Sequence, residues 1–140
     1  MNENDLLFIG FDLQKDPRVI LRAYDDAQGV TAQFNLNLLR RLNRELGANF
    51  DLEKFSHYAS YHPHECAARS FLISREAQDV FVQALNRKFH FKEWEPIFME
   101  ISQKYSLEMI DDLAQGSGFQ VAHNFFDRQH YFVDSLWQFR

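Results

Sequence analysis

The chain has 140 residues, enough for one ordinary domain with a real hydrophobic core. A formal net charge of −5 argues against nucleic acid as the main partner, and no apolar run nears the ~20 residues needed to span a bilayer. The opening Met1-Asn2-Glu3-Asn4-Asp5 does not read as a secretory leader, and a single cysteine, Cys66, excludes an internal disulfide framework and fits a reducing cytoplasm.

In chain order, the first element is Leu6-Leu7-Phe8-Ile9-Gly10-Phe11-Asp12. A near-continuous apolar run ending in Gly and Asp is the pattern of a buried strand in a parallel sheet, whose C-terminal end presents ligand groups. A chain that opens on such a strand is expected to be part of a longer domain. Lys15-Asp16-Pro17 then starts a helix, with Asp16 as cap and Pro17 at the first helical position. Gly29 breaks it. A second helix is predicted over 31–46, where Phe34, Leu38, Leu42 and Leu46 recur every four residues with Leu39 beside them. Arg40, Arg41, Arg44 and Glu45 take its solvated side, and Gly47 supplies the stop.

Asp51 caps one helical turn, after which the pattern becomes β: strands at 56–61, 67–74, 79–85 and 88–94 are expected to form an antiparallel meander. His62, His64, Glu65 and Cys66 are metal-competent side chains, but they crowd one proline-containing turn without a separated second pair, so a plain turn is expected and no metal. His57, His90, His123 and His130 are scattered without partner spacing and read as structural. Cys66 has no evident base beside it.

From Phe98 to Ser102 apolar and polar residues alternate, the period of a strand with two faces. Glu100 and Ser102 therefore share a side, about 6–7 Å apart. A carboxylate and a hydroxyl at that spacing could grip a planar ring carrying two nitrogens, or simply face solvent. Ser106 caps a further helix that closes at Gly116-Ser117-Gly118; those glycines follow a helix, whereas phosphate loops precede one. Strands at Phe119-Gln120-Val121-Ala122 and over 131–137, joined at Asp127-Arg128-Gln129, end the chain. The order strand, helix, strand, strand resembles the end of class I S-adenosylmethionine-dependent methyltransferases.

Together these segments resemble the C-terminal half of the histidine-specific methyltransferase family, whose ergothioneine-type branch methylates the α-amine of histidine. The resemblance rests on Ile9-Gly10-Phe11-Asp12-Leu13-Gln14-Lys15-Asp16-Pro17, on Ala23-Tyr24-Asp25-Asp26-Ala27-Gln28-Gly29-Val30-Thr31, on Phe34-Asn35-Leu36-Asn37-Leu38-Leu39, on Asn43-Arg44-Glu45-Leu46, on Phe50-Asp51-Leu52, and on Glu100-Ile101-Ser102-Gln103-Lys104-Tyr105. It implies an α/β fold: the last strands and hairpin of a Rossmann-like sheet, with a helical and antiparallel-β substrate lobe inserted. Residues 1–13 would be a late sheet strand, 14–95 the lobe, and 96–140 the end of the sheet domain. The cofactor would be S-adenosylmethionine, bound mostly by an N-terminal half with a glycine-rich loop that this chain lacks.

Residue by residue, Glu100 and Ser102 match the positions that hold the substrate imidazole, and Tyr24 the one that meets the amino-acid end. Ser70 stands where ergothioneine-type members carry a methionine beside the imidazole, a departure that loosens the apolar wall and admits a related imidazole or amine. None of these residues is required as a catalytic acid or base. The expected partners are a small amino acid, the missing N-terminal half, and a second copy paired along the exposed edge of residues 6–12. The chain alone is expected to be inactive. The alternative is a stand-alone module that binds an imidazole or amine without chemistry.

Overall fold

The computed structural model of the chain describes Asn2 and residues 5–140. In order it contains β1 (Leu6–Asp12), α1 (Pro17–Tyr24), α2 (Val30–Leu46), β2 (Phe55–His62), β3 (Ala67–Ser74), β4 (Gln78–Val82), β5 (Arg87–Phe91), β6 (Pro96–Gln103), α3 (Leu107–Gly116), β7 (Phe119–Phe126) and β8 (Phe132–Phe139). It is a mixed α/β chain whose strand pairs of known direction, β1 with β8, β7 with β8 and β4 with β5, are antiparallel. No helix among the described residues is long and apolar enough to cross a membrane.

The chain divides into two compact units: Met1–Asp16 with Pro63–Ala67 and Gln103–Arg140, and Pro17–His62 with Ala68–Ser102. The first unit is a three-stranded sheet in the order β1-β8-β7. Phe11, Val133, Phe119 and Trp137 close a core with Ile110 and Ala114 of α3. α3 begins where expected, because the Ser106 hydroxyl accepts the Met109 backbone N–H at 3.1 Å. The turn between β7 and β8 is held by Asp127, whose carboxylate accepts from the backbone N–H groups of Tyr131 and Phe132. Those bonds and that of Gln129 hold its carboxyl below the usual range.

β1 departs from the expected fully buried parallel strand. It runs antiparallel to β8 and its burial alternates, with Phe11 inside but Leu6 59% and Phe8 60% exposed. The reason is that only one side of the sheet carries a helix, so every second residue of β1 has no covering layer. Parallel pairing among the described residues of this unit is confined to one bridge between Leu13 and Tyr105.

The second unit holds α1, α2, a sheet in the order β2-β3-β6, and the β4-β5 hairpin as a separate pair. The four central strands thus do not form one meander. A 3₁₀ turn at Gln83–Leu85 and a left-handed Asn86 end β4 early, and β6 takes the place beside β3 instead. Leu39 of α2, Phe55 of β2 and Leu72 of β3 form the core, with Phe50, Phe91, Ile97 and Met99 packed around them. After α2, Gly47 takes the left-handed conformation at φ 60° and donates to Leu42. Asn43 then exchanges two hydrogen bonds with the backbone of Phe50, both 2.8 Å, which fixes the loop that follows.

The buried side of α2 is rotated from the one the leucine spacing predicts. Leu39 is inside, but Phe34 is 70% exposed and the polar Asn35 is buried to 2%. At its start, Gly29 lies at φ 69° and offers no side chain. The cap comes from Asp26, whose two carboxylate oxygens accept from Val30 N and Thr31 N at 2.8 Å each. These backbone donors lower its pKa to about 2. A carboxyl depressed on folding stabilises above its unfolded value, near 3.8, and that contribution is lost as pH falls toward 2. The protection factors of the Val30 and Thr31 amides, with the intrinsic pH dependence of exchange divided out, are therefore expected to be steady above pH 4 and to fall below it; Asp26→Asn, which keeps one acceptor, should flatten that dependence.

Candidate functional site

The site grows from β6 and the helix α2 in the second unit. A pocket of about 230 Å³ is lined by Phe34, Asn35, Asn37, Leu38 and Arg41 of α2 and by Met99 and Glu100 of β6. Met99 and Glu100 are consecutive, so strict alternation would send them to opposite faces. Both line the same pocket, and both are half-buried. The alternation read from the sequence is broken there, leaving Phe98 and Ile101 together on the exposed side.

Of the four candidate residues, Glu100 lines this pocket. Ser70 of β3 reaches it: its hydroxyl donates to Glu100 Oε1 at 3.4 Å, a long contact, from a side chain that is fully enclosed. Ser102 is half-buried two residues further along β6. Tyr24 is the last residue of α1 and is also half-buried. Tyr24 and Ser102 are not among the pocket's lining residues. Arg41, on the same rim, is paired with Glu45 at 3.2 Å, which raises the Arg41 pKa and lowers that of Glu45. Among the described residues no group of three or more His, Cys, Asp or Glu side chains is placed to hold a metal. In the turn after β2, the Cys66 thiol donates to the Pro63 carbonyl.

A link that spacing did not show joins the Tyr24 region to the pocket. His57 of β2 places Nε2 2.8 Å from the Tyr24 carbonyl oxygen and Nδ1 3.2 Å from Asn35 Nδ2. His57 is one of the scattered histidines that spacing reads as structural, and Asn35 is one polar residue in a leucine-rich helix. The only signal available was its place one turn before Leu39 and one residue after Phe34, on the border of the apolar stripe.

This geometry can now be set beside known proteins. The model of a family described as histidine-specific methyltransferase, SAM-dependent, matches residues 1–139. This chain belongs to that family. It is 41% identical over 124 residues to a histidine N-alpha-methyltransferase of Mycolicibacterium smegmatis, covering 88% of this chain and 38% of the relative. It is also 42% identical over 105 residues to the protein of that name from Mycobacterium tuberculosis, covering 75% of this chain and 33% of the relative. The chain thus spans between a third and two fifths of the length of these relatives.

The space at Ser70, where family resemblance leads one to expect a methionine in the ergothioneine-type branch, can be measured. A fully enclosed serine gives a methionine no room without shifting β3 or its neighbours. Ser70→Met is expected to destabilise the chain by roughly 1–3 kcal/mol, the usual range for overpacking. Ser70→Ala should change stability by less than about 1 kcal/mol, since its hydrogen bond is long. Urea unfolding midpoints of the two variants check the ordering; an unperturbed Ser70→Met would show that the space exists.

Proposed function

We propose that this chain is the substrate-orienting part of a methyltransferase that acts on the α-amine of histidine or of a related imidazole-bearing amine. The observation that carries this is Glu100, a half-buried carboxylate in a pocket within the second unit, with the enclosed Ser70 hydroxyl on one of its oxygens. Family membership and the names of the two relatives support the same substrate class. In this reading residues 14–95 belong to the substrate lobe, residues 1–13 and 96–140 to a Rossmann-like sheet domain, and the protein works in the cytoplasm.

The chain's own residues bind and orient. Glu100 accepts an N–H of the imidazole, and Ser102, on the following same-side position of β6, meets the other ring nitrogen. Tyr24 marks the amino-acid end. Ser70 donates to the oxygen of Glu100 that faces β3, leaving the second oxygen for the ring. A site built from such groups discriminates well, because an analogue without the ring N–H leaves a buried acceptor unpaired.

The family's cofactor, S-adenosylmethionine, supplies the methyl group in the complete protein. The described residues do not form a cradle for it. The segment between β6 and α3 runs Lys104-Tyr105-Ser106 without a glycine, and Lys104 is fully buried against Asp12. In this reading its site lies mostly in the part of the protein outside this chain, and the chain alone is inactive.

Glu100→Ala in the full-length protein should weaken L-histidine by roughly 1–3 kcal/mol, the cost of an unmet buried hydrogen bond. Steady-state kinetics with L-histidine check this; unchanged KM and kcat would remove Glu100 from the site. A second expectation concerns assembly. β1 ends the order β1-β8-β7, and its exposed Leu6 and Phe8 support two-fold pairing of one copy with another along Leu6–Asp12. Sedimentation of the 140-residue chain at micromolar concentration should give a dimer, and Phe8→Lys a monomer; a wild-type monomer would dismiss the edge pairing.

A further inference from the structure

We propose that Asn35 is a further substrate-contacting residue, which holds the ligand's amine through its carboxamide oxygen and is aimed by His57. The inference rests on the reading of the pocket given above and names a contact that reading does not contain.

A carboxamide buried to 2% has to be satisfied or it destabilises the fold. Asn35 is satisfied on one side only. The Tyr24 carbonyl can accept but never donate, so His57 Nε2, 2.8 Å away, carries the ring proton. In that tautomer Nδ1 presents a lone pair, and at 3.2 Å it takes an N–H from Asn35 Nδ2. The direction of the carboxamide follows: Nδ2 toward the ring, Oδ1 away from it.

No hydrogen bond from the described residues reaches Oδ1. Nor is that oxygen sealed inside protein, for the one enclosed and unpartnered side-chain oxygen or nitrogen among the described residues is Asn124 Oδ1. Asn35 lines the pocket that holds Glu100, so an oriented acceptor stands open there beside a carboxylate. Two acceptors in one pocket suit a ligand that offers N–H groups at two places. Glu100 takes the ring. Asn35, tied through His57 to the residue at the amino-acid end, takes the amine. An amine that gives one N–H to a fixed oxygen has its lone pair fixed as well, which is what transfer to nitrogen requires.

The test compares L-histidine with imidazolepropionate, the same molecule without its amine, by calorimetry on the full-length protein. Wild type is expected to prefer histidine, and Asn35→Ala to narrow that preference about tenfold, the worth of one hydrogen bond, by weakening histidine alone. Asn35→Asp keeps an acceptor and should hold the preference. Nitrogen-15 shifts of the His57 ring, which need no substitution, should report the Nε2–H form. Equal loss of both ligands in Asn35→Ala, or an Nδ1–H ring in wild type, would overturn the proposal and leave the role of Glu100 standing. Failure of wild type to bind either ligand would overturn the reading of the pocket itself.

Discussion

A carbonyl oxygen can only accept, and the second unit is arranged around that asymmetry at one point. The last turn of any helix leaves carbonyls without intrahelical partners. In α1, only eight residues long and too short to persist alone, the Tyr24 carbonyl is met by the His57 ring. That one bond fixes which ring nitrogen is protonated, and so what the other nitrogen can receive. Asn35, on a different helix, is the group that fits. The end of α1, β2 and the buried side of α2 are thereby linked through one imidazole ring.

The first unit depends on a different rule, the need to pair an ammonium group withdrawn from water. Lys104 is fully buried, and its Nζ lies 2.6 Å from Asp12 Oδ2. Burial alone would push the Asp12 carboxyl upward; hydrogen bonds from Lys104 and Lys15 outweigh it and hold the group below its ordinary value. Removing one partner from such a pair leaves the other charge desolvated, which is why the contact constrains the unit more than its net contribution to stability suggests. The backbone of Lys104 also donates to Cys66, and Gln103 reaches the carbonyls of Glu65 and Cys66. The backbone of Glu65 and Cys66 thus anchors the end of β6.

Elements whose signals are local were legible. The β3 strand falls at the predicted 67–74, Pro17 opens α1, Gly47 stops α2, and Ser106 caps α3. What failed was anything decided by a neighbour elsewhere in the chain. The leucine spacing of α2 placed Phe34 inside, whereas β2 presents a histidine that draws Asn35 there instead. The exposed face of β1 and the split of the expected meander have the same origin, since periodicity reports which residues share a side but not what covers it. Among the candidate residues, the two-residue spacing pointed to Glu100 and Ser102 and family resemblance to Tyr24 and Ser70; of these, Glu100 lines the pocket and Ser70 bonds to it. The buried amide of Asn35 falls inside a string that carries the family resemblance, but periodicity says nothing of it, because a helix tolerates one asparagine almost anywhere.

β6 is the outer strand of the order β2-β3-β6, and it shows Phe98 and Ile101 to solvent. A flat outer strand with two such side chains would be a ready seed for cross-molecular ladders. The doubled inward turn at Met99 and Glu100 interrupts its repeat between those two residues, and an interrupted strand cannot offer an unbroken row of donors and acceptors to a stranger. The local irregularity that turns Glu100 into the pocket therefore also makes this outer strand a poorer template for another chain.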